Sequence, residues 1–336
     1  MARFAKNHVF VVASFLAALS ISFAAPQSAY ASSKHHHHHH HKKAYHAVYK
    51  APHVATIVVD ADSNQVLESE SADALHYPAS LTKMMTLYLT FDALKHNKLS
   101  LDQDIIVSRH AAGMPATNIA LSPGEHLKVK DAILSIVVNS ANDSATALGE
   151  TIGGTESDFA QKMTRKAAEL GMKNTVFQNA SGLPNPRQHT TARDMAMLGL
   201  ALKRDFPQYF PFFKTESFTF RGNTYVTHNH VMMRYAGVDG IKTGFIRASG
   251  FNLVTSVNRD GHHLVAVVLG GSTWRSRDDR MIALLDRTFN HLAMLPGSNR
   301  VRLSSAIRNH QAQPAFAEEQ QQQQPVTNGE GDESER

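Results

Sequence analysis

Three short motifs in this chain carry hydroxyl, amine and amide groups at spacings that suit acyl transfer: Ser80-Leu81-Thr82-Lys83, Ser140-Ala141-Asn142 and Lys242-Thr243-Gly244. A serine and a lysine three residues apart on a helix share a face, so the amine reaches the hydroxyl. The N-terminal end of such a helix adds free backbone N–H groups and the positive end of the dipole, and both favour developing negative charge. A serine hydroxyl attacks a carbonyl poorly until a neighbouring base takes its proton, and lysine is a base only when neutral. Its free pKa of ~10.4 must fall by about three units, or ~4 kcal/mol, for work near neutral pH. Burial and a second nearby cation both push that way, and Lys242 is the candidate for the cation.

Each motif alone is weak. An S-x-x-K occurs by chance about once in a chain of this length. Read singly, Ser80 is a helix cap beside a solvated Lys83, Ser140 and Asn142 cap the following helix, and Lys242 is an exposed strand residue. A second S-x-N, Ser256-Val257-Asn258, lies inside a strand pattern after the K-T-G and carries no catalytic expectation. Order and setting distinguish the three: a helix start, a loop between helices, then a strand. Leu81, Met84 and Met85 flank the serine–lysine pair, which predicts a helix buried on most sides.

The elements that must hold these groups are readable from periodicity. Residues 54–59 are β-rich, and turn residues over 60–64 lead into 65–67, which reads as a hairpin. Residues 80–94 place apolar side chains at 81, 84, 85, 87, 88, 91 and 94, a largely buried helix with Pro78 at its approach and Ser80 in its first turn. Between 100 and 204 the signals are mostly helical, with helices expected over 131–138, 142–152, 156–170 and 191–202. Strand signals return at 217–227, 238–242, 251–257 and 264–269, the last two joined by an Arg259-Asp260-Gly261 turn, and an amphipathic helix closes the pattern over 277–292. Strands first, helices in the middle, strands and a helix last predict an α+β fold with an inserted helical subdomain.

Composition bounds the setting. There is no cysteine, which excludes disulfides, thiolate catalysis, cysteine-ligated zinc and lipid attachment through cysteine. A net charge of +5 and a pI near 9.3 suit a polyanionic surface or an acidic substrate. No interleaved aromatic and basic motif points to nucleic acid. Arg3 and Lys6 precede a mostly apolar run over 9–25, followed by Ala29-Tyr30-Ala31, so a signal peptide over 1–31 is expected, cleaved after Ala31. As an uncleaved anchor the run is at the short edge of the ~20 apolar residues a bilayer span needs. His35 to His41 form an unbroken histidine run within a 32–50 linker; it is either a purification tag or a native, weak binder of transition metals. Residues 51–295 are the expected catalytic domain, and the Gln-rich, acidic stretch over 296–336 is an expected disordered tail.

The three motifs resemble those of the penicillin-binding proteins and serine β-lactamases. The wording around them is similar to the serine-type D-Ala-D-Ala carboxypeptidase branch, the low-molecular-weight penicillin-binding proteins: Tyr77-Pro-Ala-Ser-Leu-Thr-Lys-Met-Met85, Ser181-Gly-Leu-Pro184, Thr191-Ala-Arg-Asp-Met195 and Val238-Asp-Gly-Ile-Lys-Thr-Gly244. The resemblance implies a β-lactamase/transpeptidase-like fold, an antiparallel sheet flanked by helices. It implies Ser80 as the acylated nucleophile, Lys83 as its base, and Ser140 and Asn142 as a proton-relaying and peptide-holding loop. Lys242 would lend positive charge and Thr243 meet the substrate carboxylate, with Arg277, or Arg275 close by, assisting. The N–H groups of Ser80 and of Phe245, which follows Gly244, would form the oxyanion hole. Peptidoglycan stem peptides are then the substrate and β-lactams covalent inhibitors, in the periplasm, with no cofactor, no metal and no stable membrane anchor. Two departures stand out: the 44 residues after Leu292 are not expected to form the second all-β domain of many relatives, and Phe245 replaces a histidine found in some.

Three rivals remain on sequence grounds. A β-lactamase would often use a glutamate after the S-x-N motif to activate water, and residues 172–193 contain no Asp or Glu. A D,D-endopeptidase cutting cross-links would use the same three motifs. A non-catalytic wall-binding module would be expected to have lost Ser80, Lys83 or Lys242, and all are present.

Overall fold

The computed structural model describes residues 54–295; the expected signal segment, His-rich linker and tail lie outside them. The described chain opens with β1 (Ala55–Asp60) and β2 (Val66–Glu70), then passes through a tight 3-10 turn, Ala79–Leu81, into α1 (Thr82–Lys95). A helical block follows, interrupted by two short strands: β3 (Asp104–Ile106), α2 (Arg109–Ala112), β4 (His126–Lys128), α3 (Val129–Val138), α4 (Asn142–Gly153), α5 (Glu156–Glu169) and α6 (Ala192–Asp205). After it come β5 (Ser217–Phe220), β6 (Asn223–Val226), α7 (Val231–Arg234), β7 (Val238–Ile246), β8 (Gly250–Arg259), β9 (His262–Gly271) and α8 (Trp274–Met294).

The main sheet is antiparallel throughout, in the order β2-β1-β9-β8-β7. Its central strands read as continuous apolar runs because both faces are covered. Along β9, Val265, Val267 and Leu269 join the core shared with α1 and α6, while Leu264, Ala266 and Val268 pack with Met281, Leu284, Leu285 and Phe289 of α8. The period of two sends alternate residues to opposite layers. The β8–β9 turn is a two-residue connection with Asp260 and Gly261 both at positive φ, the conformation Asp-Gly supplies at low cost.

Helix α1 is the axis of the molecule: every residue except Asp92 and Lys95 is buried. A helix apolar all round must be surrounded, and α1 is. The α+β fold with an antiparallel sheet flanked by helices agrees with the sequence reading. Four details differ. Ser80 sits in the 3-10 turn before α1 rather than in its first turn. The 217–227 alternation is a separate hairpin, β5–β6, turned at Arg221-Gly222 and outside the main sheet. The segment over 100–130 holds the β3–β4 pair within the mostly helical block. Helix α8 begins three residues before Arg277, at Trp274, where Thr273 and Ser276 form a reciprocal capping box.

Candidate active site

Backbone strain marks the turn that carries Ser80. Ala79, just before Ser80, adopts φ +50, a left-handed conformation that L-residues with a Cβ avoid. Two neighbours hold it there. Gly182 (φ +86) presses its Cα against the Ala79 carbonyl so closely that no Cβ fits between them. On the sheet side, Asn252 of β8 donates its amide to the carbonyls of Tyr77 (3.1 Å) and Pro78 (3.2 Å) and accepts from the Gly270 amide (3.0 Å). Asn252 is fully buried, so each of these bonds satisfies a group that would otherwise be stranded.

Lys83 is completely buried at the start of α1, and its amine lies within hydrogen-bond distance of three oxygens: the Ser181 carbonyl at 2.6 Å, Asn142 Oδ1 at 2.7 Å and Ser80 Oγ at 3.2 Å. The Asn142 amide is fixed in orientation because its Nδ2 donates to the Pro115 carbonyl at 2.8 Å. Burial holds the Lys83 pKa well below its ordinary value, the Lys242 charge lowers it further, and buried Asp143 opposes both. A neutral amine has two protons and one lone pair. The two short contacts are to carbonyl oxygens that only accept, so they take the two protons and leave the lone pair for the Ser80 hydroxyl.

Ser140 adopts φ +60 in the loop between α3 and α4, and its buried Oγ has no protein partner. Neither Ser140 nor Asn142 caps α4, whose N-cap is Ala141 without a side-chain bond. Asp143 clasps the facing loop, accepting from the amides of Ile119 (3.1 Å) and Leu121 (3.2 Å). The Thr117 hydroxyl donates to the Ser140 carbonyl at 2.9 Å, and the Thr117 carbonyl accepts from the Asn142 amide at 2.7 Å.

Across the cleft, β7 carries the third motif. Lys242 is 3% exposed, not a surface strand residue, and its amine donates to the Thr243 carbonyl at 3.0 Å. Burial and then the Arg277 charge lower its pKa to about 7. A Cβ at Gly244 would stand 3.1 Å from the backbone nitrogens of Ser80 and Leu81, so β7 lies directly against the Ser80 turn. Phe245 stacks on Phe251 with centroids 4.3 Å apart and stays half exposed at the cleft wall.

Arg277 is 3% exposed and faces the cleft. Its Nε donates to Asp278 Oδ1 (2.8 Å) and its Nη1 to the Asn252 carbonyl (3.1 Å), which fixes the guanidinium plane. Arg275 is exposed, lies over the Trp274 ring at 4.9 Å and does not line the cleft. The cleft, about 610 Å³, brings together Ser80, Ser140, Asn142, Thr243, Gly244, Phe245 and Arg277, with Lys83 and Lys242 buried beneath its surface.

Other wall residues escaped the sequence reading: Thr117, His228, His230 and Trp274. So did the two supports, the Ser181 carbonyl and the Asn252 amide. Ser181-Gly-Leu-Pro184 stood out as a motif, yet a backbone acceptor has no side-chain signature.

A serine hydroxyl beside a buried lysine whose pKa burial lowers is the arrangement that serine acyl transfer needs, here on an α+β scaffold. The comparisons with known proteins agree and are narrower. The D-alanyl-D-alanine carboxypeptidase family model matches residues 42–273, and the chain belongs to that family of serine peptidases. It is 32% identical over 269 residues to D-alanyl-D-alanine carboxypeptidase DacF of Bacillus subtilis, covering 79% of this chain and 69% of that one. It is 37% identical over 246 residues to DacC of Escherichia coli, covering 70% of this chain and 62% of that one. The chain thus matches roughly two thirds of these relatives' lengths. Penicillin-binding protein D2 from Listeria monocytogenes, solved in the ampicillin-bound form, superposes with a TM-score of 0.64 at 28% identity, covering 70% of this chain and 96% of that one.

Proposed function

We propose that this chain removes the terminal D-Ala of peptidoglycan stem pentapeptides through an acyl-enzyme on Ser80. The observation that carries the reading is the Lys83 amine, buried and held by Asn142 and Ser181 with its third contact on Ser80 Oγ. In acylation Lys83 takes the hydroxyl proton as Ser80 attacks the penultimate D-Ala carbonyl. The oxyanion develops between the Ser80 and Phe245 amides, a placement supported by the close approach of Gly244 to the nucleophile turn. Collapse breaks the C–N bond, and the proton reaches the departing amine through Ser140, whose hydroxyl is free of other protein partners. Thr243 and Arg277 hold the leaving carboxylate, with positive charge from Lys242 behind them. Water then cleaves the ester.

The same geometry takes a β-lactam as a substrate mimic, and the ampicillin-bound structure of the Listeria relative supports that expectation. The leader-like residues 1–31 support export and action in the periplasm. No helix among the described residues is long and apolar enough to cross a membrane. The test is incubation of mature protein with a defined pentapeptide and mass analysis of products. Release of one D-Ala with the tetrapeptide, and covalent labelling by fluorescent penicillin that Ser80→Ala abolishes, are expected. An alanine variant that labels like wild type overturns the assignment.

A further inference from the structure

The guanidinium of Arg277 is held by one oxygen of its partner rather than by two. Its Nε donates to Asp278 Oδ1 at 2.8 Å, and its Nη2 lies 2.6 Å from the same oxygen. A bidentate carboxylate would give one oxygen to each N–H. Here Asp278 Oδ2 has no hydrogen-bond partner among the described residues, although Asp278 is fully buried. A buried carboxylate oxygen left in that state is costly, so the group opposite it matters. That group is His230. Its Nδ1 is also buried without a hydrogen-bond partner and stands 3.6 Å from Asp278 Oδ2, beyond hydrogen-bond length. Asn229, the residue before, does not fill the gap, since both polar atoms of its buried side chain are likewise without partners.

The rest of the His230 ring looks outward. It lines the cleft with Arg277, packs edge to face on Trp274 with centroids 4.7 Å apart, and is 38% exposed. Charged groups reach it from each neighbouring element. Arg234 of α7 is paired with Asp279 of α8 at 2.7 Å, and Arg275 of α8 rests on the Trp274 ring. His228, in the loop before α7, is held below the ordinary imidazole range first by burial, then by Lys242 of β7, His230 and Arg277. Asp278 therefore stands between Arg277 on one oxygen and an imidazole on the other.

Imidazole is the side chain that gains a proton in the mildly acidic range. A proton on Nδ1 closes the 3.6 Å gap to a charge-assisted hydrogen bond, and Asp278 then divides its charge between two cations. Arg277 stays in place, since its Nη1 also donates to the Asn252 carbonyl at 3.1 Å, but it is less neutralised and draws a substrate carboxylate more strongly. We propose that His230 is a positioning residue for the substrate carboxylate, acting through Asp278 on Arg277, and that a proton on His230 tightens substrate binding while leaving acyl transfer to Ser80 and Lys83. The inference rests on the reading of Arg277 as the holder of that carboxylate.

The experiment measures KM and kcat on a linear pentapeptide at about pH 6 and about pH 8.5, either side of imidazole titration. The proteins are wild type, His230→Gln, which takes no proton, and His230→Lys, which carries its charge at both. At the lower pH, His230→Gln is expected to raise KM about fivefold or more, the lower end for coupling between linked groups, with kcat within about twofold. At the higher pH its KM agrees with wild type within about twofold, and His230→Lys keeps the lower KM at both. Lys83 and Lys242 titrate in all three proteins, so only the differences between them read His230. A His230→Gln enzyme whose KM follows wild type at both pH values overturns the inference. So does an equal rise at both, the mark of a structural role, or a His230→Lys enzyme as weak as His230→Gln at the lower pH. Arg277→Ala with a wild-type KM overturns the carboxylate reading, and this one with it; the other outcomes leave that reading standing.

Discussion

Asn142→Asp tests the protonation state on which the whole site depends. The substitution is nearly isosteric and replaces a neutral acceptor, 2.7 Å from the Lys83 amine, with an anionic one. At that distance an effective dielectric of ~20 gives an attraction of roughly 6 kcal/mol, which is an upper bound. Two costs reduce it. The new carboxylate must be desolvated, and it sits beside buried Asp143, whose own pKa is already raised by burial. The net effect is the one to three units typical of a close ion partner, so the Lys83 pKa rises by ~1.4–4 kcal/mol. Raising it makes the neutral base scarcer, and acylation falls most at pH values below the raised pKa, by up to about tenfold for each unit of the rise. The assay is the rate of penicillin acylation against pH. The acidic limb, set by Lys83 losing its proton, moves to higher pH in Asn142→Asp, and part of the rate returns there. Asn142→Ala, which removes the bond without adding charge, lowers the rate without moving the limb upward. An Asn142→Asp enzyme with wild-type acylation and an unmoved limb would refute a neutral Lys83 as the base.

Three further outcomes follow from the geometry. Lys242, with its pKa lowered to about 7, loses its charge as pH rises, so kcat/KM for the pentapeptide falls above about pH 7; a bound carboxylate raises that pKa, and the corresponding limb in kcat lies higher. Gly182→Ala forces a side chain into a φ of +86 and onto the Ala79 carbonyl, which costs about 2–4 kcal/mol, lowers Tm by several degrees and cuts penicillin labelling at least tenfold; an unchanged melt and labelling would contradict the brace described for Ser80. Arg277→Ala lowers pentapeptide kcat/KM by about 2 kcal/mol or more, whereas Arg275→Ala leaves it unchanged, and the reverse pattern would transfer the carboxylate contact to Arg275.

That pair shows where sequence reading succeeds and where it stops. Residues 275 and 277 are about 200° apart around a helix, so only one can face the sheet. The apolar stripe of Met281, Leu284, Leu285 and Leu292 sets that phase and puts 277 on the buried face, but a helix expected to start at Arg277 leaves 275 outside the comparison. Thr273 with Ser276 three residues later is a capping signal that was there to be found. Helix α1 was legible because its apolar residues occur on every side, and the sheet because β8 and β9 are long apolar runs around an Asp-Gly turn. The β5–β6 hairpin was not, since its turn places Arg221 at φ +50, where no Asn or Asp announces it. Strands of three residues such as β3 and β4 are too short for any period to register. The site's chemistry was visible in side chains; its supports are largely backbone groups, the Ser181 and Pro115 carbonyls and the Ile119 and Leu121 amides, and these are silent in sequence.

The composition of the cleft wall bears on how the acyl-enzyme is resolved. Among the described residues that line it there is no Asp or Glu; buried Asp143 spends its oxygens on backbone amides, and buried Asp278 is paired with Arg277. A hydrolytic water therefore meets no carboxylate base on the cleft wall, and on the proposed mechanism the base available is the one that served acylation. After a peptide is attacked, the D-Ala departs and the proton leaves with it. On the proposed mechanism Lys83 is then neutral again, still held by Asn142 and Ser181. A β-lactam differs at this step, because its leaving nitrogen stays tethered to the acyl group and occupies the side from which D-Ala would have gone. On the proposed mechanism that group would stand between water and Lys83, with no second base on the cleft wall. On the proposed mechanism one buried amine does both half-reactions, so a β-lactam acyl group is expected to persist, where a separate carboxylate base would have favoured drug hydrolysis.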